Sequence, residues 1–290
     1  MCHGPALAVA KERGGSVPHR AGVRKDAVVN TNDVRAAARQ AGDNPALVAA
    51  ARVGFAVNGV LHLVIAWLGL QLAWGGGGGS ADQSGALQTL ASTGGGRLLL
   101  WVAVVGFLAL AVWQATEAVV GEPKLQDRAK AVATGVLYLF LSFSSLNWAR
   151  GPGASSSTQQ SVDFTSSLMG KPAGRVLVAV LGLVIVGVGG YFVAKGWRRT
   201  FLADLAGHPG PLAEKLGRVG YVAKGAAVVL VGILFVLAAA HGAPGEATGL
   251  DGALRALLHA PYGPVLLTAV SLGLAAYAGY SFVRARYARL

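Results

Sequence analysis

Arg218-Val-Gly-Tyr-Val-Ala-Lys-Gly225 decides the fold, because the chain writes it three times. Arg52-Val-Gly-Phe-Ala-Val-Asn-Gly59 is the first copy. Arg128-Ala-Lys-Ala-Val-Ala-Thr-Gly135 is the second, with Lys130 and Ala131 where the others have Gly and an aromatic. In each copy an Arg stands seven residues ahead of a Gly and opens a long apolar run. A charge at the mouth of an apolar run is how a helix enters hydrocarbon from a charged surface. The repeat continues into a second apolar run. Arg97 and Trp113, Arg175 and Tyr191, and Pro264 and Tyr280 are each 16 positions apart, and Glu117, Lys195 and Arg284 follow four further on. Leu90, Leu168 and Leu257 fall at one matching position in the loops. The motif arginines are 76 and then 90 residues apart, so the chain is an internal triplication of one membrane hairpin.

Composition agrees. Apolar residues make up 53% of the 290 and charged ones 13%, and the apolar residues fall in blocks. A net charge of +12 invites a nucleic-acid reading. The distribution opposes it: the basic residues flank apolar blocks and form no groove-sized patch with stacking aromatics, so no nucleic-acid partner is expected. The single cysteine, Cys2, excludes an internal disulfide and a thiolate metal cluster.

Residues 1–50 read as a disordered, basic, cytoplasmic arm, poor in large apolar residues. Within it, Asn32 or Asp33 can cap a short helix over about residues 32–51, interrupted at Asp43-Asn-Pro45. Six spans follow: Val53–Trp74, Leu98–Val120, Ala131–Trp148, Val176–Ala194, Val219–Ala240 and Val265–Val283. Each is long enough, or nearly so, for about 30 Å of hydrocarbon. Between the first two, Gly85 to Thr93 suits a short amphipathic helix lying on the surface, while Gly151 to Gly170 reads as a Ser/Gln-rich loop. The expected fold is an all-α integral membrane protein, six transmembrane helices built as three parallel-related helical hairpins. The repeat units cover residues 51–121, 127–200 and 217–287.

Orientation follows from Lys and Arg. One set of loops carries only Arg97, Arg150, Lys171, Arg175 and Arg255, a small minority of the 25 basic residues. The positive-inside rule then places both termini in the cytoplasm of a plasma-membrane protein, with anionic lipid headgroups as partners at that face.

Three hairpins opening with Arg-x-Gly-aromatic-x-x-x-Gly resemble the bacterial family called domain of unknown function 1206, of actinobacterial type. The resemblance covers about residues 46–290. It implies six spans and supplies no reaction, ligand or catalytic residue.

Aligning the copies on their Arg exposes one face of each odd-numbered span. Asn58 and His62 share a face in the first, Thr134, Tyr138, Ser142 and Ser145 in the third, and Lys224 in the fifth. Polar groups in hydrocarbon turn inward toward partners or water. They read as glue between helices, with a polar cavity as the competing reading. His62 has no second His in any span, so neither haem nor metal is expected there. Lys224 is close enough to the entry to snorkel back to the surface. No Walker, His-Glu-x-x-His or Gly-x-Ser-x-Gly pattern occurs, and no cofactor and no enzymatic activity are expected. Two functions remain. One is a non-catalytic structural or interaction module with lipid or a membrane-protein partner. The other is a small carrier or channel with a polar path near His62 and Tyr138.

Overall fold

The computed structural model describes residues 31–75, 79–120, 124–151, 156–207 and 209–289. They form ten α-helices: α1 Thr31–Gly42, α2 Pro45–Ala73, α3 Gln83–Ala91, α4 Gly96–Val120, α5 Leu125–Arg150, α6 Ser157–Met169, α7 Gly174–Trp197, α8 Pro211–His241, α9 Gly249–Leu258 and α10 Gly263–Tyr287. Two short 3-10 turns occupy Thr200–Asp204 and Pro244–Glu246. Six helices (α2, α4, α5, α7, α8 and α10) are long and apolar enough to cross a membrane, with mean hydropathy from 1.4 to 2.6.

The helix starts follow local chemistry. Asn44 caps α2 through its side chain at 2.9 Å from the Ala46 N–H, with Pro45 in the first turn. The helix therefore begins well ahead of Val53. Together with α1 it makes residues 31–42 and 45–50 helical with a break at Asp43 and Asn44, in line with the interrupted helix read over about 32–51, within an arm otherwise read as disordered. The rest of that arm lies outside the described residues. α1 packs on α4, with Gly42 facing Trp113 and Thr116.

The six long helices form an open ring. α4 packs on α5, α7 on α8, and α10 on α2, so each interface joins the second helix of one repeat to the first of the next, the last to the first included. The motif glycines stand at these three interfaces. Gly59 faces the Ala278 carbonyl and Phe282, Gly135 faces Ala111 and Gln114, and Gly225 faces Gly189 and Val193. A β-carbon would approach its neighbours to 3.1 Å at Gly59 and 3.3 Å at Gly135, but to 2.6 Å of a backbone nitrogen at Gly225. Small residues let backbones meet where lipid supplies no hydrophobic drive. Gly182 against Gly232, two turns from Gly189 against Gly225, continues the α7–α8 contact.

Within repeats the ring is uneven. α2 packs on α4 through Gly54 against the Gly106 backbone and Leu110. α8 packs on α10 through Gly220 against Tyr277 and Gly273 against Ala223. The second repeat has Lys130, Val184 and Val188 at the corresponding positions, and among the described residues α5 and α7 form no comparable interface. Leu137 is 53% exposed where its counterpart Leu61 is 2%, and Tyr191 is 46% exposed where Tyr280 is fully buried. The three hairpins are thus related in sequence, but the second is splayed. A seam runs between α5 and α7, spanned near one end by Lys130 Nζ at 5.8 Å from the Tyr191 ring centre.

The short helices gather on one face. α3 is tucked in, burying Ser84 to Leu87 and Leu90, rather than lying on the surface as its sequence suggested. α6 occupies the segment read as a loop, capped by Ser156 on the Gln159 N–H. Asp251 accepts from the Ala81 N–H at 2.7 Å and from Arg255 Nε at 2.8 Å, tying the first and third of these connections together. Each leads into its long helix through a glycine (Gly96, Gly174, Gly263) where a β-carbon would collide with the carbonyl of Leu90, Leu168 or Leu258.

Candidate functional site

The interior beside the chain ends is aromatic and cationic. Its centre is Tyr277 on α10, buried between α2 and α8. The His62 ring lies 4.7 Å from it and Tyr221 meets it edge-on at 5.3 Å. Lys224 Nζ stands 4.1 Å from the centre of the Tyr277 ring and 5.4 Å from that of Phe192. Snorkelling to the surface, as the sequence suggested for Lys224, is therefore not what the side chain does. It lies across ring faces inside the bundle, in a geometry worth about 0.5–2 kcal/mol.

Asn58 joins the same region. Its Nδ2 donates to Ser281 Oγ at 3.4 Å, and Ser281 in turn donates to the Tyr277 carbonyl at 2.9 Å. His62 Nδ1 is 2.8 Å from the Asn58 carbonyl one turn back, a bond within its own helix in which the ring N–H donates. Tyr138 is buried and stacks on Phe107 at 6.1 Å. It is within electrostatic range of Tyr277 and Arg284. Thr134 does not join them, because its hydroxyl donates to the Lys130 carbonyl of its own helix at 2.7 Å. Ser142 bridges helices, donating to the Val104 carbonyl at 2.9 Å, while Ser145 bonds back to Leu141. The structure therefore gathers Asn58, His62, Tyr138 and Lys224 around α10, and leaves Thr134 aside.

The motif arginines remain at the rim. Arg52 is exposed, Arg218 stacks at 5.0 Å over the Trp197 ring, and Arg128 holds a shielded Nε with no hydrogen-bond partner.

Arg284 was not singled out from sequence as a site residue, and it belongs to the centre. Its guanidinium lies 4.2 Å over the Phe55 ring, and its Nε is shielded from solvent with no hydrogen-bond partner among the described residues. The available signal was its match to Lys195 across repeats. Lys195 also points inward, pairing with Asp204 at 2.7 Å and lying 5.3 Å over the Tyr221 ring. Their counterpart Glu117 is exposed. Lys224, Arg284 and Lys195 all lie within electrostatic range of Tyr277. Among the described residues, neither Lys224 nor Arg284 is ion-paired with a carboxylate.

A plug covers the end of this region. The 3-10 turn Thr200–Asp204 inserts Phe201, fully buried, which stacks on Tyr221 at 5.4 Å and meets Tyr280 edge-on at 5.2 Å. Tyr280 donates to the Phe201 carbonyl at 3.2 Å. A β-carbon at Gly217 would strike the Phe201 ring, so that glycine admits the plug. A bridge from Leu205 to Ala288 ties the turn to the end of α10. Deeper in, the interior is filled by Leu61, Ile65, Phe107, Leu141 and Leu274. Along a different face of α8, an apolar groove of about 600 Å³ runs toward α10 with Lys215, Arg218 and Trp197 at its rim. Among the described residues no three of His, Cys, Asp and Glu gather as metal ligands would.

The repeat seen in sequence and contacts is the one recorded by a family model, Domain of Unknown Function (DUF1206), which matches residues 53–121, 129–199 and 219–288. The chain belongs to this family. It is also similar to the uncharacterized protein YxxB of Bacillus subtilis (strain 168), 24% identical over 248 residues, which are 81% of this chain and 89% of that one. No solved structure matches. In DUF1206 terms, the family's unit is the helix pair that opens at Arg52, Arg128 or Arg218, and the inward cluster lies where the three units meet.

Proposed function

We propose that this DUF1206 protein is a non-catalytic membrane module that binds an anionic ligand in the half of its ring beside the chain ends. One observation carries the reading: among the described residues Lys224 and Arg284 face the interior with no ion-paired carboxylate, Asp204 being paired to Lys195, and Arg284 Nε is buried without an acceptor. Cations held away from water need counter-charge or hydrogen-bond acceptors, and in membrane proteins such residues mark ligand sites. The other polar groups are engaged structurally. His62, Ser142 and Tyr138 each have a backbone bond or ring contact, which supports a binding role over proton transfer. The packed aliphatic and aromatic residues around Tyr138 support a closed interior over a carrier or channel path.

The test is thermal unfolding of the purified chain in detergent, titrated with inorganic phosphate against chloride. Phosphate should stabilise the protein, and Lys224→Gln should remove that gain. Equal response to both salts in the wild-type chain would count against the site. In proteoliposomes the protein should add no ion flux above empty vesicles; a flux abolished by His62→Leu would replace this reading with the carrier.

A further inference from the structure

We infer that the ligand is an anionic phospholipid that enters sideways through the seam between α5 and α7. This rests on the anion reading above. The seam supplies what a soluble anion does not require, a lateral opening with apolar walls. Leu137 and Phe140 on α5 are 53% exposed, and Val184 and Val188 on α7 are 56% and 44% exposed. Two departures from the repeat make this opening. Lys130 replaces the glycine that lets α2 meet α4 and α8 meet α10, and Val184 replaces the facing glycine of the partner helix. Both changes act on one of three equivalent interfaces. A wider side chain on each of two helices holds their backbones apart.

The two substitutions also differ in chemistry, and together they suit an amphiphile. Lys130 brings a cation to the seam, bridged at 3.1 Å to Asp127 and lying near the Tyr191 ring. Tyr191 is 5.9 Å from Phe192, and Lys224 Nζ lies 5.4 Å from the centre of the Phe192 ring. An unbroken run of side chains thus leads from the seam to the cationic centre. Phosphate between Lys224 and Arg284 would give Arg284 Nε the acceptor it lacks and Lys224 a counter-charge, and the acyl chains would lie against Leu137, Phe140, Val184 and Val188. Charge selects the headgroup and the seam selects the tail. A zwitterionic lipid would bring its own cation into a region already rich in them.

Native mass spectrometry of the delipidated full chain in detergent tests this, with phosphatidylglycerol, phosphatidylcholine and inorganic phosphate as probes. Phosphatidylglycerol should bind about tenfold more tightly than phosphatidylcholine, and Lys224→Gln or Arg284→Gln should each remove about that factor. Val184→Trp, which fills the seam without touching a charge, should weaken phosphatidylglycerol but leave the unfolding midpoint and the response to phosphate unchanged. Lys215→Gln, at the rim of the separate groove, should change nothing. Equal binding of the two lipids, or no effect of Val184→Trp, would overturn the seam route while Lys224-dependent phosphate binding kept the anion site standing. Loss of Lys224 dependence for lipid and phosphate alike would overturn both. A dimer that buries Leu137 and Val184 against a second copy would also overturn it.

Discussion

Lys224 and His62 occupy one neighbourhood yet should respond oppositely to substitution. His62 spends its Nδ1–H on a carbonyl one turn away and its ring on Tyr277. His62→Leu keeps much of the packing and loses a bond worth about 0.6 kcal/mol, so the unfolding midpoint should hardly move. Binding should persist as well, and a folded His62→Leu protein unable to bind would show that the imidazole touches the ligand. Asp204 behaves differently, because it is the carboxylate that pairs with Lys195. Asp204→Asn leaves Lys195 without its counter-charge beside Tyr221 and should loosen the plug. Faster hydrogen exchange at residues 200–206 would report it, and unchanged exchange would argue that Phe201 alone seats the turn. At this scale the sequence was half legible. Spacing put Asn58, His62 and Tyr138 on inward faces because helical period alone determines that. It could not say that Thr134 would bond back to its own helix, nor that Lys224 would find rings instead of water, since those outcomes depend on which neighbours a tertiary contact supplies.

Among the helices, the motif glycines carry graded consequences. Gly225→Ala drives a methyl into the backbone of α7 and should cost about 1–3 kcal/mol, the usual range for overpacking. Gly135→Ala meets the Gln114 β-carbon at 3.3 Å, a contact a shift of a few tenths of an ångström relieves, and should cost far less. Differential scanning fluorimetry in detergent would rank them, and a reversed order would show that α4–α5 is the tighter pair. The second hairpin teaches the related lesson. Lys130 in place of glycine was visible as a defect in the motif, and its structural meaning came only with Val184 and Val188 on the facing helix. A single departure from a repeat is ambiguous; matched departures on two helices that should touch specify which contact is absent. The short helices were less readable. α6 is polar and begins at a serine cap, and nothing in its composition distinguishes it from a loop until α9 and the Pro244–Glu246 turn pack against it.

For the whole molecule, six spans place the α3, α6 and α9 connections on one side and the chain ends on the other. In a Cys2→Ser background, cysteines at Lys171 and Tyr262 should react with an impermeant thiol reagent from the same side of the membrane, and one at Lys124 from the opposite side. These three positions are exposed. Labelling of Lys171 and Lys124 from a common side would break the six-span arrangement. The charge asymmetry leads us to expect the Lys124 side to be cytoplasmic.

That α10 packs on α2 has a consequence for biosynthesis. The ribosome delivers α2 first and α10 last, so the first span enters the bilayer without the neighbour that its Gly59 and Gly69 are shaped to receive. At about 5–20 residues per second, roughly 10–40 s pass before that neighbour emerges. During this interval lipid must solvate the α10-binding face of α2, and a nascent chain stalled after α8 should remain open to crosslinking there by an insertase or a lipid probe. Release of α10 should end the crosslink. The last helix to be translated is then the latch of the assembly, and truncations that spare five spans should still be recognised by the cell's membrane quality control as unfinished.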